Sequence, residues 1–299
     1  MLQGIRIIMN NLKNNIADVK EYYIGVDDGV SLKIIDIIPG IEKKNNPIIM
    51  FISGWISIIS GWKDVLSYIT YEYRIIYIET REKTSSKLPQ NKKITFNMKR
   101  LVMDINQIID KLLPKNRDFI LIGSSLGATI ILEYLLQNIR NPKCAVLISP
   151  NTEFRFPKIL GDFIPLFPAS LYFVVKPIIK WYLKNFRLDK KNEREQVLRY
   201  EKTLNLADPY KLKANAIAIK KYKILHNLSN ISIPCLIIGG TADKLHKTSN
   251  LLFIANLLSN AEFVELKNNK ESHSERAGEL IVEYIKKINI NVYPKSLLI

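Results

Sequence analysis

Cysteine is scarce, with two in 299 residues. Cys144 and Cys235 each open an apolar run, CAVLIS and CLIIGG, that reads as a strand. Both are therefore expected as small buried hydrophobes, and no disulfide framework is suggested. Histidine is nearly as rare, with three residues, so any imidazole chemistry must use His226, His246 or His273. No zinc-finger spacing and no RNA-binding aromatic signature accompanies the basic charge, which argues against direct nucleic-acid recognition. The opening MLQGIRIIMNNLKNN lacks the basic head, continuous apolar middle and small-residue cleavage site of a secretory signal, so a cytoplasmic chain is expected. There is neither an internal repeat nor a low-complexity linker.

What is present is ample apolar content, 47% of residues, enough for a large core. The formal charge is +16, and a balance of this kind favours anionic partners. Its lysines are scattered apart from short groups such as Lys190–Lys191 and Lys220–Lys221. Two readings stay open, a solvated surface and a functional basic face.

Residues 21–37 hold two strand-like stretches around Asp28-Gly29, a pair suited to a tight hairpin turn. After Pro47, strands and helices alternate: IIMFI, a helix around WKDVLSYI, RIIYIE, FNMKRLVMDINQIIDKLL, FILIG, LGATIILEYLLQN and AVLIS. Short apolar strands between amphipathic helices predict an α/β protein with a mostly parallel sheet and helices on both faces. The alternation stops at Pro150 and resumes at Pro234 with CLIIGG, NLLFIANLL, AEFVEL and ERAGELIVEYIKKI. The intervening stretch is helical in period, carries several prolines and has no convincing strand. The chain thus divides into a discontinuous core, 1–150 and 231–299, and a helical insertion, 151–230.

Strand FILI runs directly into Gly123-Ser124-Ser125-Leu126-Gly127, and a long apolar helix follows at once. Small residues on both sides of a serine at such a junction allow a sharp, strained turn that presents the hydroxyl at the sheet's carboxyl edge. Ser125 sits symmetrically between the glycines and is the candidate nucleophile in preference to Ser124. A plain Gly-Ser turn is the bland alternative. A serine hydroxyl needs a base. His273, in the loop before the final helix, can lie at the same edge. His246 follows its strand too closely to project far and is held in reserve. Asp243, in the loop GGTADK after CLIIGG, gives the chain order Ser, Asp, His, although an aspartate in such a loop is usually a turn residue. Oxyanion donors are expected from the backbone N–H of Leu126, at a helix N-terminus, and of Trp55, in the loop Ser53-Gly54-Trp55 after IIMFI.

With these landmarks in place, the chain resembles the large lidded α/β-hydrolase family from about Glu21 to Ile288. The resemblance implies an α/β-hydrolase fold, with 151–230 as a helical lid. It also implies a catalytic triad of Ser125, Asp243 and His273, an oxyanion hole from Trp55 and Leu126, and no cofactor or metal. Relatives of this pattern cut carboxylic esters, thioesters, amides or some carbon–carbon bonds. An aspartate stands at the elbow in the dehalogenases and epoxide hydrolases, and Ser125 argues against both. Two departures stand out. Ser53-Gly54 replaces the common His-Gly. In Glu79-Thr80-Arg81-Glu82-Lys83-Thr84-Ser85-Ser86, Glu82 and Thr84 replace two glycines of the segment acid-x-Arg-Gly-x-Gly-x-Ser. If those positions required positive φ, the loop must be built differently here.

Within the insertion, the uncharged run from Phe163 to Val175 is thirteen residues, too short to cross a bilayer as a helix of about twenty. Lys176, Lys180 and Lys184 then recur every four residues among Ile178, Ile179, Tyr182 and Leu183. This face either packs on the core and closes an apolar pocket or makes peripheral contact with an anionic membrane surface. Both readings favour an apolar acyl substrate. Two-step acyl transfer to water, on a carboxylic ester, is the expected reaction. Acyl transfer to another acceptor, carbon–carbon bond hydrolysis, and catalytically silent binding of an apolar ligand are the alternatives.

Overall fold

The computed structural model describes residues 18–41, 43, 45–154, 164–187, 194–224, 227–241 and 248–292. Eight strands form one sheet: β1 (Asp18–Gly25), β2 (Ser31–Ile38), β3 (Ile48–Ile52), β4 (Ile75–Glu79), β5 (Phe119–Ser124), β6 (Ala145–Ile148), β7 (Cys235–Gly240) and β8 (Ala261–Leu266). Their spatial order is β1-β2-β4-β3-β5-β6-β7-β8. The β1–β2 and β2–β4 pairs are antiparallel and every later pair is parallel. The β1–β2 turn is closed by Gly29 N–H to Val26 O at 2.9 Å and Val26 N–H to Val30 O at 2.8 Å. Gly29 takes φ +88 there, a conformation open to glycine because it has no Cβ.

The helices that flank the sheet are α1 (Lys63–Thr70), α2 (Met98–Leu112) and α3 (Leu126–Gln137). Residues of β6 and β7 pair directly, from Ala145 with Cys235 to Ile148 with Ile238. Between them the chain leaves the sheet and forms α4 (Tyr172–Tyr182), α5 (Arg194–Leu206) and α6 (Pro209–Ile219). Its return is marked by a bridge between Glu153 and Lys223 and by Ile224 N–H to Thr152 O at 2.9 Å. After β7 come α7 (Thr248–Leu257) and α8 (Glu275–Val292).

Side-chain alternation along the central strands feeds two cores. Ile48, Met50 and Ile52 of β3 join α2, α3 and α7 through residues such as Leu101, Ile131 and Leu251 on one face. Ile49 and Phe51 join α1 and α8 through Val65, Leu66, Ile281 and Ile285 on the other. Strands buried on both faces read as unbroken apolar runs, which is why IIMFI and FILIGS are fully buried. Cys144 and Cys235 are free and buried, and burial pushes both thiols up to about 12. They pack as apolar side chains and are not reactive thiols.

The hairpin is pinned to the sheet's flank by a buried guanidinium. Arg81, fully buried, donates twice to Asp104 of α2, at 2.6 Å each, and also to Asp28 at 2.8 Å and the Thr95 carbonyl at 2.7 Å. A bidentate pair satisfied on its remaining protons is the condition under which a buried charge is tolerated.

Helix α3 begins close against β3. A Cβ on Gly127 would stand 2.0 Å from the Ile52 carbonyl oxygen, so only glycine permits this approach. Gly127→Ala is therefore expected to destabilise the fold by about 1–3 kcal/mol or more, read as a lower denaturant midpoint. Gly25→Ala is the control, since its Cβ would meet only Ser31 Oγ, at 3.9 Å.

Candidate active site

Strand β5 delivers Ser125 to the carboxyl edge of the sheet. Its backbone sits at φ 49, ψ −112, outside the regions that an L-residue favours. The turn is held from both sides: Ser125 N–H donates to the Ile148 carbonyl at 2.8 Å, and the Ser125 carbonyl accepts from Thr129 N–H at 3.0 Å. Glycine is needed on each flank, because a Cβ on Gly123 would lie 2.7 Å from Ala128 N. Leu126 is buried and opens α3, so its N–H belongs to the first turn, where no intrahelical acceptor exists.

Ser125 opens onto a cavity of about 650 Å³ that Trp55 and His273 also line. Apolar walls come from Ile148, Phe154, Ile179, Leu183 and Leu204. Three positive-φ residues other than glycine and asparagine occur among the described residues, Ile56 (φ 49), Ser125 (φ 49) and Ser149 (φ 48), and all three line this cavity. Backbone strain of this kind costs on the order of 1–3 kcal/mol per residue and gathers where surrounding structure enforces a functional geometry. At Ile56 the strain is extreme for a β-branched side chain, in a turn closed by Ser57 N–H to the Gly54 carbonyl at 3.0 Å.

His273 is half-buried. Its ring stacks on Trp62 with centroids 4.1 Å apart, and Trp62 is itself fixed by Nε1–H to Ser57 Oγ at 3.1 Å. His273 Nδ1 lies 2.9 Å from the Asn269 main-chain carbonyl. A carbonyl only accepts, so the proton of a neutral ring sits on Nδ1 and leaves Nε2 with its lone pair. Of the residues picked out in the sequence, Ser125, His273 and Trp55 share the cavity and Leu126 adjoins it. Asp243 lies outside the described residues, as do His226 and His246.

Several residues at the site carry no sequence signature. Asn151, three residues beyond β6, donates from Nδ2 to Ser125 Oγ at 3.2 Å. The one available clue is its place after the carboxyl end of a parallel strand, the edge at which such sites assemble. Arg199 of α5 also lines the cavity and donates from Nη2 to Asn269 Oδ1 at 3.0 Å. The segment after β4 differs from the glycine-bearing pattern as well, since neither Glu82 nor Thr84 takes a positive φ. Side chains hold that loop instead. Thr80 Oγ1 donates to Glu82 Oε1 at 2.6 Å, and the Lys211 ammonium of α6 donates to the carbonyls of Lys83 (3.0 Å) and Ser86 (2.7 Å). Burial lowers the pKa of both Lys83 and Lys211 below the ordinary lysine value.

Helix α4 divides its apolar residues. Ile179 faces the cavity, only Tyr172 is buried, and Phe173, Val174, Ile178 and Trp181 are exposed, each by 58% or more. Among the described residues no helix is long and apolar enough to cross a membrane.

The architecture is widely shared. A hydrolase from Pseudomonas aeruginosa superposes with a TM-score of 0.74 at 18% identity, covering 89% of this chain and 98% of that one. An esterase from Exiguobacterium antarcticum gives 0.74 at 18%, covering 89% and 100%. A putative lipase from Acinetobacter baumannii gives 0.68 at 20%, covering 97% and 95%. No curated protein sequence matches the chain. Residues 93–267, more than half of the sequence, match the family described as serine aminopeptidase, S33. With its eight-stranded sheet and its turn at Ser125, the chain belongs to that family and is a hydrolase of the α/β-hydrolase fold.

Proposed function

We propose that the protein is a serine hydrolase that cleaves carboxylic esters with an apolar acyl group. The observation that carries this reading is the meeting, in one apolar-walled cavity, of a serine on a strained strand-to-helix turn and a histidine whose Nδ1 is held against the Asn269 carbonyl, which directs its basic lone pair to Nε2. The solved structures of similar fold include proteins described as an esterase and a putative lipase.

In this mechanism His273 Nε2 takes the Ser125 proton as Oγ attacks the ester carbonyl. The resulting oxyanion is held by the N–H groups of Trp55 and Leu126. Asp243 stabilises the imidazolium, and the Asn269 carbonyl keeps the ring in register through Nδ1–H. The imidazolium then protonates the leaving alcohol. Water, deprotonated by the same histidine, attacks the acyl-enzyme and releases the acid and Ser125. Residues 151–230 act as a lid, with Ile179, Leu183, Tyr200 and Leu204 covering the acyl group.

The exposed side of α4 gives the lid a second role, docking on an anionic membrane surface from which apolar esters enter. Phe173, Val174, Ile178 and Trp181 would insert at the interface, and Lys176, Lys180 and Lys184 on the same helical stretch match anionic headgroups, as the overall charge of +16 does.

Three measurements test this reading. A fluorophosphonate probe should label Ser125, and Ser125→Ala should lose both the label and ester turnover while keeping its melting temperature; undiminished turnover in that variant would refute the assignment. Asn151→Ala should still label, with kcat lowered about 3–10-fold, the worth of one modest hydrogen bond. Sedimentation with phosphatidylserine-containing vesicles should pull the protein down. The triple change K176Q/K180Q/K184Q should weaken that binding about 100-fold, at about 1 kcal/mol per lysine. Equal binding to uncharged vesicles would remove the electrostatic part of the argument.

A further inference from the structure

The loop after β4, where glutamate and threonine stand in place of glycines, brings a buried lysine to the back of the candidate oxyanion hole. Lys83 is 6% exposed, and its ammonium donates to the Gly54 carbonyl. That carbonyl belongs to the same peptide group as the N–H of Trp55. The peptide lies against the nucleophile turn, since a Cβ on Gly54 would stand 3.2 Å from Ser124 O and 3.3 Å from Ser125 Cβ. The Gly54 oxygen also accepts from Ser57 N–H at 3.0 Å, so it is gripped by two donors, one of them charged.

A peptide group is conjugated, so drawing electron density toward its oxygen makes its N–H more positive and a stronger donor. The buried setting amplifies this, because a cation acts over a longer range where water is excluded. We propose that Lys83 is a positioning residue that fixes and polarises the Gly54–Trp55 peptide, and thereby strengthens the Trp55 N–H as an oxyanion donor. This rests on the serine-hydrolase reading above.

The surroundings fit a maintained charge. Glu82 Oε1 lies 3.8 Å from Lys83 Nζ, and Glu82 Oε2 is buried without a hydrogen-bond partner among the described residues. Burial lowers the Lys83 pKa, and the carboxylates of Glu82 and Glu79 oppose that fall. A buried ion pair is seldom worth its desolvation as a stabilising device, which leaves its effect on the peptide beside the nucleophile as the use of this one. The Lys83 carbonyl is in turn capped by the Lys211 ammonium at 3.0 Å, so the inserted helices help seat the loop that presents Lys83.

Lys83→Met removes the ammonium and keeps the apolar stem. Turnover of p-nitrophenyl butyrate, fluorophosphonate labelling and inhibition by n-butylboronic acid, whose serine adduct mimics the tetrahedral oxyanion, are compared with the unaltered chain. The expected result is a fall in kcat of about 10–100-fold, smaller than the loss of a whole oxyanion donor. KM should stay within about twofold, and boronic-acid affinity should fall by a factor similar to that in kcat. A merely structural lysine would not move the boronic-acid affinity in step with kcat while sparing KM. Unchanged kcat and boronic-acid affinity in a folded Lys83→Met protein overturn the proposal. Should that variant fail to fold, Lys83→Arg and Lys83→Gln make the same comparison with and without the charge, and equal kcat in the two overturns it. Absence of Ser125 labelling in the unaltered chain removes the hydrolase reading itself, and this inference with it.

Discussion

The close approach of α3 to β3 governs how the rest of the site is arranged. Gly127 meets the Ile52 carbonyl oxygen with no room for a Cβ, and Gly54, just past the end of β3, meets the turn at Ser125. Once the helix start is pressed onto that strand, the chain between Gly123 and Gly127 has no ordinary route, and Ser125 is driven to φ 49. The loops after β3 and β6 then inherit positive φ at Ile56 and Ser149. Strain is concentrated around one cavity because the two fully apolar cores beneath it do not yield.

Charge buried near this edge is arranged to resist a different failure, the loosening of loops that have no core of their own. Arg81 ties the first hairpin to α2 through Asp28 and Asp104. Lys211 ties the inserted helices to the loop after β4 through main-chain carbonyls. Both cations carry several fixed acceptors, which is how desolvation is offset in a site that solvent would otherwise enter. Lys83 differs in aiming its charge at a peptide beside Ser125.

The parts of the fold that were legible in the sequence are those set by period and punctuation. IIMFI, FILIGS and CLIIGG are apolar without a break because both faces are covered, and Asp28-Gly29 marks its turn by a backbone preference. The seat of Ser125 was legible for a similar reason, since steric need leaves glycines as its record. Partners set by distance in space leave no such record. Asn151, the Trp62 stack under His273 and the Gly54 contact of Lys83 each join residues far apart in the chain, and nothing local distinguishes them. Helix α4 was ambiguous for another cause. It is apolar nearly all round, so its pattern could not say which residues turn to the cavity and which to the outside, and the structure divides them.

The excursion between β6 and β7 departs and returns at almost the same point, with Glu153 bridged to Lys223 and Thr152 to Ile224. A chain that exits and re-enters through one narrow neck makes the pairing of β6 with β7 indifferent to what lies between. The entropic penalty of closing such an excursion grows only with the logarithm of its length. The stretch is thus a cassette that evolution or an engineer can lengthen, shorten or exchange while the sheet and the strained turn at Ser125 are left standing.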